Sequence, residues 1–359
     1  MSQLINFQLK SQIVHTVDST KSEDVCYIVH MSESDKFIAC AGSNNVIKLY
    51  NPTTHTLLSV LNQHKDSIHQ TLFLNPTTLV TCSSDRTVKI FDCEKSTLVK
   101  SLNQKGEAFT IDIAGDLLAV GVGSSVCIWN LKTMKMVKEF CDSHTEDVTR
   151  VLFHPNDATK LFSCSVDGLI CVYDLTVEDV DEAVLSVMNG EHSLNTIGFY
   201  GPSNEYLYSL SHTERLYTWD LASFSRITDF GGDLRTHLQE KYPDLQVNYF
   251  VTCQYDAANN ALLLFGGNYS GLGLVYQVNS DAQQPSVVPI ATLSNGHSDI
   301  IRSIYWNRTT NVILSAGEDG SLCFWSNQIN FNNNNQSSSD SSSGKITKSN
   351  NARSKANPY

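Results

Sequence analysis

Residues 296–325 read GHSDIIRSIYWNRTTNVILSAGEDGSLCFW, and this stretch decides the fold. An apolar run from Ile300 to Trp306, a second ending at Ser315 and a third ending at Trp325 are separated by polar turn residues, the last turn centred on Asp319-Gly320. Short apolar runs bounded by turn chemistry predict three strands of one sheet. Four residues at fixed offsets give those strands a reason to lie side by side. Asp319 is placed to accept from His297, whose other nitrogen faces the Ser315 hydroxyl, and that hydroxyl reaches the Trp325 indole N–H. Buried polar groups must be paired, and a bond to a charged partner contributes about 1.5–3 kcal/mol. Taken alone, His, Ser and Asp also have the composition of a hydrolase triad, and the rest of the chain is needed to decide.

Working outward, the aromatic that ends the third strand recurs as Leu49-Tyr50, Ile90-Phe91, Ile128-Trp129, Val172-Tyr173, Thr218-Trp219, Val275-Tyr276 and Phe324-Trp325. Successive aromatics lie 41, 38, 44, 46, 57 and 49 residues apart. A period of about 40–45 residues with four strands per unit is the signature of a propeller built from WD repeats. The strongest local matches are residues 64–92, HKDSIHQTLFLNPTTLVTCSSDRTVKIFD, residues 144–174, HTEDVTRVLFHPNDATKLFSCSVDGLICVYD, and the stretch quoted first. On these motifs the chain resembles an all-β, seven-bladed WD40 β-propeller over residues 1–326. The fourth unit, followed by the acidic Glu178, Asp179, Asp181 and Glu182, together with the seventh, is similar to the WD repeat-containing protein 89 family.

Laying the four-residue pattern on each unit tests the resemblance. Blade seven has all four residues, His297, Ser315, Asp319 and Trp325. Blade two offers His64, Thr81, Asp85 and Phe91, and blade four His144, Ser163, Asp167 and Tyr173, so the bonds are expected to run as far as the aromatic. Blade five gives His192, Ser209, Thr213 and Trp219, with Thr in the carboxylate's place. Blades one, three and six carry Asn44, Gly123 and Ser270 at the turn and are expected to rely on packing and backbone pairing. A catalytic trio would occur once and need an exposed nucleophile and an oxyanion hole. Recurrence in three blades makes the trio a structural network instead.

Composition narrows the function. No run approaches the ~18 apolar residues of a membrane span, and the N-terminus lacks the basic-then-apolar order of a secretory signal. An intracellular protein, cytoplasmic or nuclear, is expected. The ten cysteines form no CxxC pair, and Cys40, Cys82, Cys127, Cys164, Cys171 and Cys323 lie inside apolar runs, which predicts small core residues rather than disulfides or zinc. From Phe331 onward Lys345, Lys348, Arg353 and Lys355 face one acid, Asp340. That net +3, taken from the total of −12, leaves −15 on the rest of the chain. Such acidity repels phosphate backbones, so nucleic acid is not expected as the main ligand.

Two segments depart from the repeat. Residues 231–248, GGDLRTHLQEKYPDLQVN, lengthen the fifth connection and predict a short helix over Thr236–Lys241, either as a plain loop insertion or as a docking element. Residues 327–359 are rich in Asn and Ser, have too few apolar side chains to fold, and are expected to form a disordered tail with a basic end. That leaves blade seven without a fourth strand after Trp325, and an open edge invites aggregation. Leu4–Val14, LINFQLKSQIV, is predicted to fill the place and close the ring.

No enzyme chemistry, cofactor or metal site is expected. Gly266-Gly267 and Gly271-Leu272-Gly273 fall at a strand-to-strand turn, where a phosphate loop cannot form. Resemblance to WD propellers implies that protein partners bind the rim around the central channel, at Ser67, His69, Asp147, Thr149, His212, Tyr269, Ile300, Arg302 and Glu318. Arg302 and Tyr269 stand first, because both residue types are enriched among interface hot spots. The expected role is a non-enzymatic scaffold, a monomeric propeller within a complex. One alternative is a substrate receptor of a ubiquitin ligase, but the Trp-Asp-x-Arg motif common in such receptors is missing. Its positions read Trp129-Asn130-Leu131-Lys132 and Trp219-Asp220-Leu221-Ala222. Another is an enzyme or small-molecule site in the central channel, which needs convergent polar groups there.

Overall fold

The apolar runs become strands buried on both faces, as in Ile38–Gly42, where all five residues are buried. Such runs bury both faces only if sheets stack against each other, which is what a ring of blades provides. The computed structural model describes residues 4–14 and 26–326; the predicted tail lies outside them. Seven blades follow in chain order: 28–61, 68–103, 108–140, 148–189, 194–229, 249–293 and 301–326. Each runs antiparallel from an innermost strand outward. The hydrophobic core is not central but lies between neighbouring blades. One cluster joins Val80, Cys82 and Ile90 of blade two to Ile111, Leu118 and Val120 of blade three.

Blades one to five are separate four-stranded sheets, whereas blades six and seven are joined by the N-terminal strand β1 (Ile5–Val14) into a single sheet of eight. Gln8–Val14 pair antiparallel with Ser321–Ser326, so β1 is the fourth strand of blade seven, as predicted. The structure adds a second attachment. Ile5–Phe7 pair in parallel with Ala291–Leu293 of blade six, and Phe7 is buried. The strand therefore holds two blades.

The insertion contains helix α1 (Leu234–Lys241), which starts two residues earlier than predicted. Asp233 caps it by accepting from Arg235 N (3.0 Å), satisfying one of the free N–H groups of the first turn. Leu234 and Leu238, one turn apart, are buried with Phe230, Val247, Phe250 and Tyr276, so α1 is packed onto blades five and six.

Every innermost strand carries a one-residue bulge near its start, at Val29, His69, Phe109, Thr149, Asn195, Val251 and Arg302. A bulge bends a strand and re-aims its side chains. Here it repeats seven times at one level of the channel wall.

Candidate functional site

In blade seven, His297 Nε2 lies 2.7 Å from Ser315 Oγ, and the Trp325 indole donates to the same oxygen at 2.8 Å. An indole N–H can only donate, whereas the serine oxygen, with one hydrogen and two lone pairs, can give or take the bond to His297 Nε2. A carboxylate can only accept, so His297 Nδ1 donates to Asp319 at 3.1 Å. Asp319 also accepts from Ser298 N and Ser321 N, both at 2.9 Å. One carboxylate thus ties the incoming loop to the strand turn. Burial pushes its pKa up, but the bonds from His297, Ser298 and Ser321 outweigh burial and hold the carboxyl below its ordinary value. In blade two, burial is likewise outweighed by Thr87, His64 and Lys65, which draw Asp85 down to about 2.

Blade two brings His64 to Thr81 (2.7 Å) and Asp85 (2.8 Å), and the chain ends there because Phe91 has no polar group. In blade four it goes one step further than expected. His144 bonds Ser163 (2.7 Å), and the Tyr173 hydroxyl, 2.9 Å from Ser163, takes the place of the indole. Blade five keeps the Trp219–Ser209 bond (2.9 Å), but His192 makes no hydrogen bond to Ser209. Thr213 is occupied with Ser211 (3.0 Å), so no carboxylate holds the second ring nitrogen of that histidine. Thr81, Ser163 and Ser315 have no exposed surface, and none presents a hydroxyl to solvent. Burial also pushes the Cys40, Cys82 and Cys164 thiols up to about 12, far from the thiolate that metal binding or nucleophilic attack requires.

The nine rim positions divide into two groups. Ser67 and Asp147 are exposed, while His69 and Thr149 occupy bulges facing the channel. His69 bonds Ser84 (2.7 Å), and Thr149 donates to Leu194 O (2.9 Å), which joins blade four to blade five. By contrast, His212, Tyr269, Ile300 and Arg302 line one open cleft of ≈ 560 Å³ at blades five, six and seven, with Glu318 bonded to Arg302 Nε at 2.6 Å.

The insertion supplies part of that cleft, and with it residues the rim offsets did not include. Arg235 is held by Asp233 (2.7 Å) and by Asn248 O (3.1 Å); Asn248 Oδ1 accepts from Tyr269 N (3.1 Å). Tyr269, 62% exposed, stacks on Tyr249 at 6.2 Å between centroids, and Tyr249 in turn accepts from Ile301 N of blade seven (2.7 Å). Glu214 accepts Leu234 N through its carbonyl and Phe250 N through its carboxylate, both at 3.0 Å, clamping both ends of the insertion. Burial raises its pKa to about 7, with the Phe250 bond opposing. The capping Asp233 and the Leu234/Leu238 pair were the only sequence signals that the insertion is built into the fold. Close approach explains one turn glycine: a Cβ on Gly271 would lie 2.3 Å from His297 O, where blade six touches blade seven.

A ring of seven four-stranded blades, closed by the chain's first strand and tied internally by the His–Ser/Thr–Asp network, defines a WD repeat β-propeller. The family described as WD domain, G-beta repeat matches residues 55–92, 134–174 and 287–326. The chain belongs to the WD repeat-containing protein 89 family. It is 46% identical over 363 residues to the WD repeat-containing protein 89 homolog of Dictyostelium discoideum, covering 100% of this chain and 99% of the relative. It is also 32% identical over 308 residues to WD repeat-containing protein GTS1 of Arabidopsis thaliana, covering 80% and 77%. A more distant relative is the DDB1- and CUL4-associated factor 11 homolog of Caenorhabditis elegans, 23% identical over 223 residues, covering 56% and 39%. Among the described residues no helix is long and apolar enough to cross a membrane.

Proposed function

We propose that the chain is a protein-interaction scaffold that receives a partner in the cleft formed by blades five to seven and the insertion. The observation that carries this reading is the convergence of His212, Tyr269, Ile300 and Arg302 with Arg235 around one open cleft. An exposed tyrosine pre-stacked on a second ring loses little conformational freedom on binding, and Tyr and Arg are the residue types that anchor interfaces. The α1 insertion acts in this reading as a docking element rather than a plain loop. Affinity purification with mass spectrometry, comparing the wild type with a Tyr269→Ala, Arg302→Ala double variant of equal thermal stability, tests it. Loss of a defined set of partners is expected, and identical recoveries would exclude this cleft.

A ligase receptor role has one observation in its favour, the similarity to a relative named for association with DDB1 and CUL4. Against it stands the missing motif: Lys132 takes the arginine position in blade three and is paired with Asp116, and Ala222 takes it in blade five. Absence of a DDB1-type partner among the recovered proteins would remove this reading without touching the first.

A further inference from the structure

The residue after each bulge stands at one level of the channel wall, and four of these side chains form a belt running from blade to blade. Ser303 Oγ of blade seven accepts from Met31 N of blade one (3.3 Å), and His30 Nδ1 of blade one accepts from Thr71 N of blade two (3.2 Å). Gln70 Oε1 of blade two accepts from Ile111 N of blade three (3.0 Å), and Thr110 Oγ1 of blade three accepts from Val151 N of blade four (3.2 Å). In every case an acceptor on one blade takes the equivalent backbone N–H of the next. The next acceptor position is Arg150, and the next N–H is that of Ile197.

A guanidinium has five donors and no acceptor, so the belt stops there; it does not resume at Thr196 and Thr252, whose hydroxyls donate to Ile197 O (3.4 Å) and Cys253 O (3.2 Å). Arg150 Nε is buried without a hydrogen-bond partner, and Arg150 forms no ion pair with any described carboxylate. Asp112, the acid lining the same channel, is close enough for the Arg150 charge to oppose the rise that burial causes in its pKa, but it bonds Phe153 N at 2.7 Å and makes no hydrogen bond to Arg150. No side chain among the described residues accepts from Ile197 N. The charge is felt around the ring: His30, held neutral mainly by burial and secondly by Arg150, falls to about 3, which keeps its Nδ1 free to accept.

We propose that Arg150 makes the central channel a receptor for a small oxyanion, a carboxylate or phosphate group whose oxygens accept from the Arg150 guanidinium and from Ile197 N and supply the acceptor missing between blades four and five. The Arg150 guanidinium makes no hydrogen bond to a described carboxylate, and an anionic acceptor bonds a cation more strongly than a neutral one does. The chamber around these residues, ≈ 630 Å³ and open to solvent, has room for such a ligand. The site does not depend on a partner at the rim.

The test is thermal unfolding of the full chain in acetate, succinate or inorganic phosphate, against chloride at matched ionic strength. Saturating oxyanion is expected to raise the wild-type midpoint by about 2–4 °C. Arg150→Gln places an amide oxygen where Gln70 carries one in blade two. It is expected to raise the midpoint in chloride and abolish the response to oxyanions. Arg150→Met, which offers neither charge nor acceptor, should also lose the response and carries the comparison if the glutamine variant does not fold. A response to phosphate alone assigns a phosphate group, and a response to acetate and succinate alone assigns a carboxylic acid. Calorimetric titration of the wild type with the same anions is read alongside, and saturable heat is expected. Equal midpoints in chloride and all three oxyanions, absence of saturable heat, or a response retained in either variant would overturn the proposal.

Discussion

Replacing Asp319 by alanine removes one acceptor from three donors at once: His297 Nδ1 (3.1 Å), Ser298 N (2.9 Å) and Ser321 N (2.9 Å). Its side chain is 7% exposed, so water replaces these bonds only in part. A bond to a charged acceptor is worth about 1.5–3 kcal/mol, but the three share one group and are not additive, which places the loss at about 2–4 kcal/mol. For a domain of this size that corresponds to a fall of roughly 3–6 °C in the unfolding midpoint. Ser298 N and Ser321 N use different oxygens of Asp319, so Asp319→Asn keeps one of these bonds and turns an NH2 toward the other donor, and a fall of about 1–3 kcal/mol is expected. Thr213→Ala, at the turn where blade five lacks the carboxylate, should change stability by less than about 0.5 kcal/mol. Differential scanning calorimetry of the three variants is the assay. An Asp319→Ala midpoint equal to that of Thr213→Ala would refute the claim that the carboxylate ties the incoming loop to the turn.

Removing residues 1–14 takes the fourth strand from blade seven and the parallel attachment from blade six, so the ring should open and melt well below the full chain; an unchanged calorimetric transition would count against closure. His64 and His144 have pKa values lowered by burial, which Asp85 and Asp167 only partly offset. Their stabilising contribution is complete above the unfolded value of about 6.5 and is lost as pH falls below it, and a midpoint that stays flat from pH 7 to pH 5 would show that these rings do not titrate on unfolding. Glu214, raised by burial to about 7, is a charge the fold resists above that pH. Glu214→Gln should therefore raise the midpoint at pH 8 and have little effect at pH 4, and equal effects at both pH values would exclude the titration.

The period and its closing aromatics made the ring legible in the sequence, because a blade cannot be built without strands of fixed length and an apolar residue at the end of the third. Asp319, Asp167 and Asp85 were legible for a related reason: only a carboxylate at that turn serves the histidine and the backbone together. His192 matches the pattern in residue type but makes no bond to Ser209, since the histidine is held by the carboxylate that blade five lacks. Tyr173 was underread because a hydroxyl on the aromatic does the work of an indole without matching it in type. The channel belt left no mark, since Ser303, His30, Gln70 and Thr110 share an acceptor and a register but no residue identity, and their partners are backbone N–H groups. In the cleft, Tyr269 and Arg302 were accessible by offset. Arg235, Asn248 and Glu214 were not, because their positions follow from the path of the insertion and not from the repeat.

The most direct test of the interaction reading is site-specific photo-crosslinking in cells, with the photoreactive residue at Tyr269 in the cleft and, as control, at the exposed Val99 on the outer wall of blade two. Reproducible crosslinks to a defined protein from position 269, lost when Arg302 is replaced by alanine and absent from position 99, are predicted. Crosslinks from position 99 with none from position 269 would contradict the account.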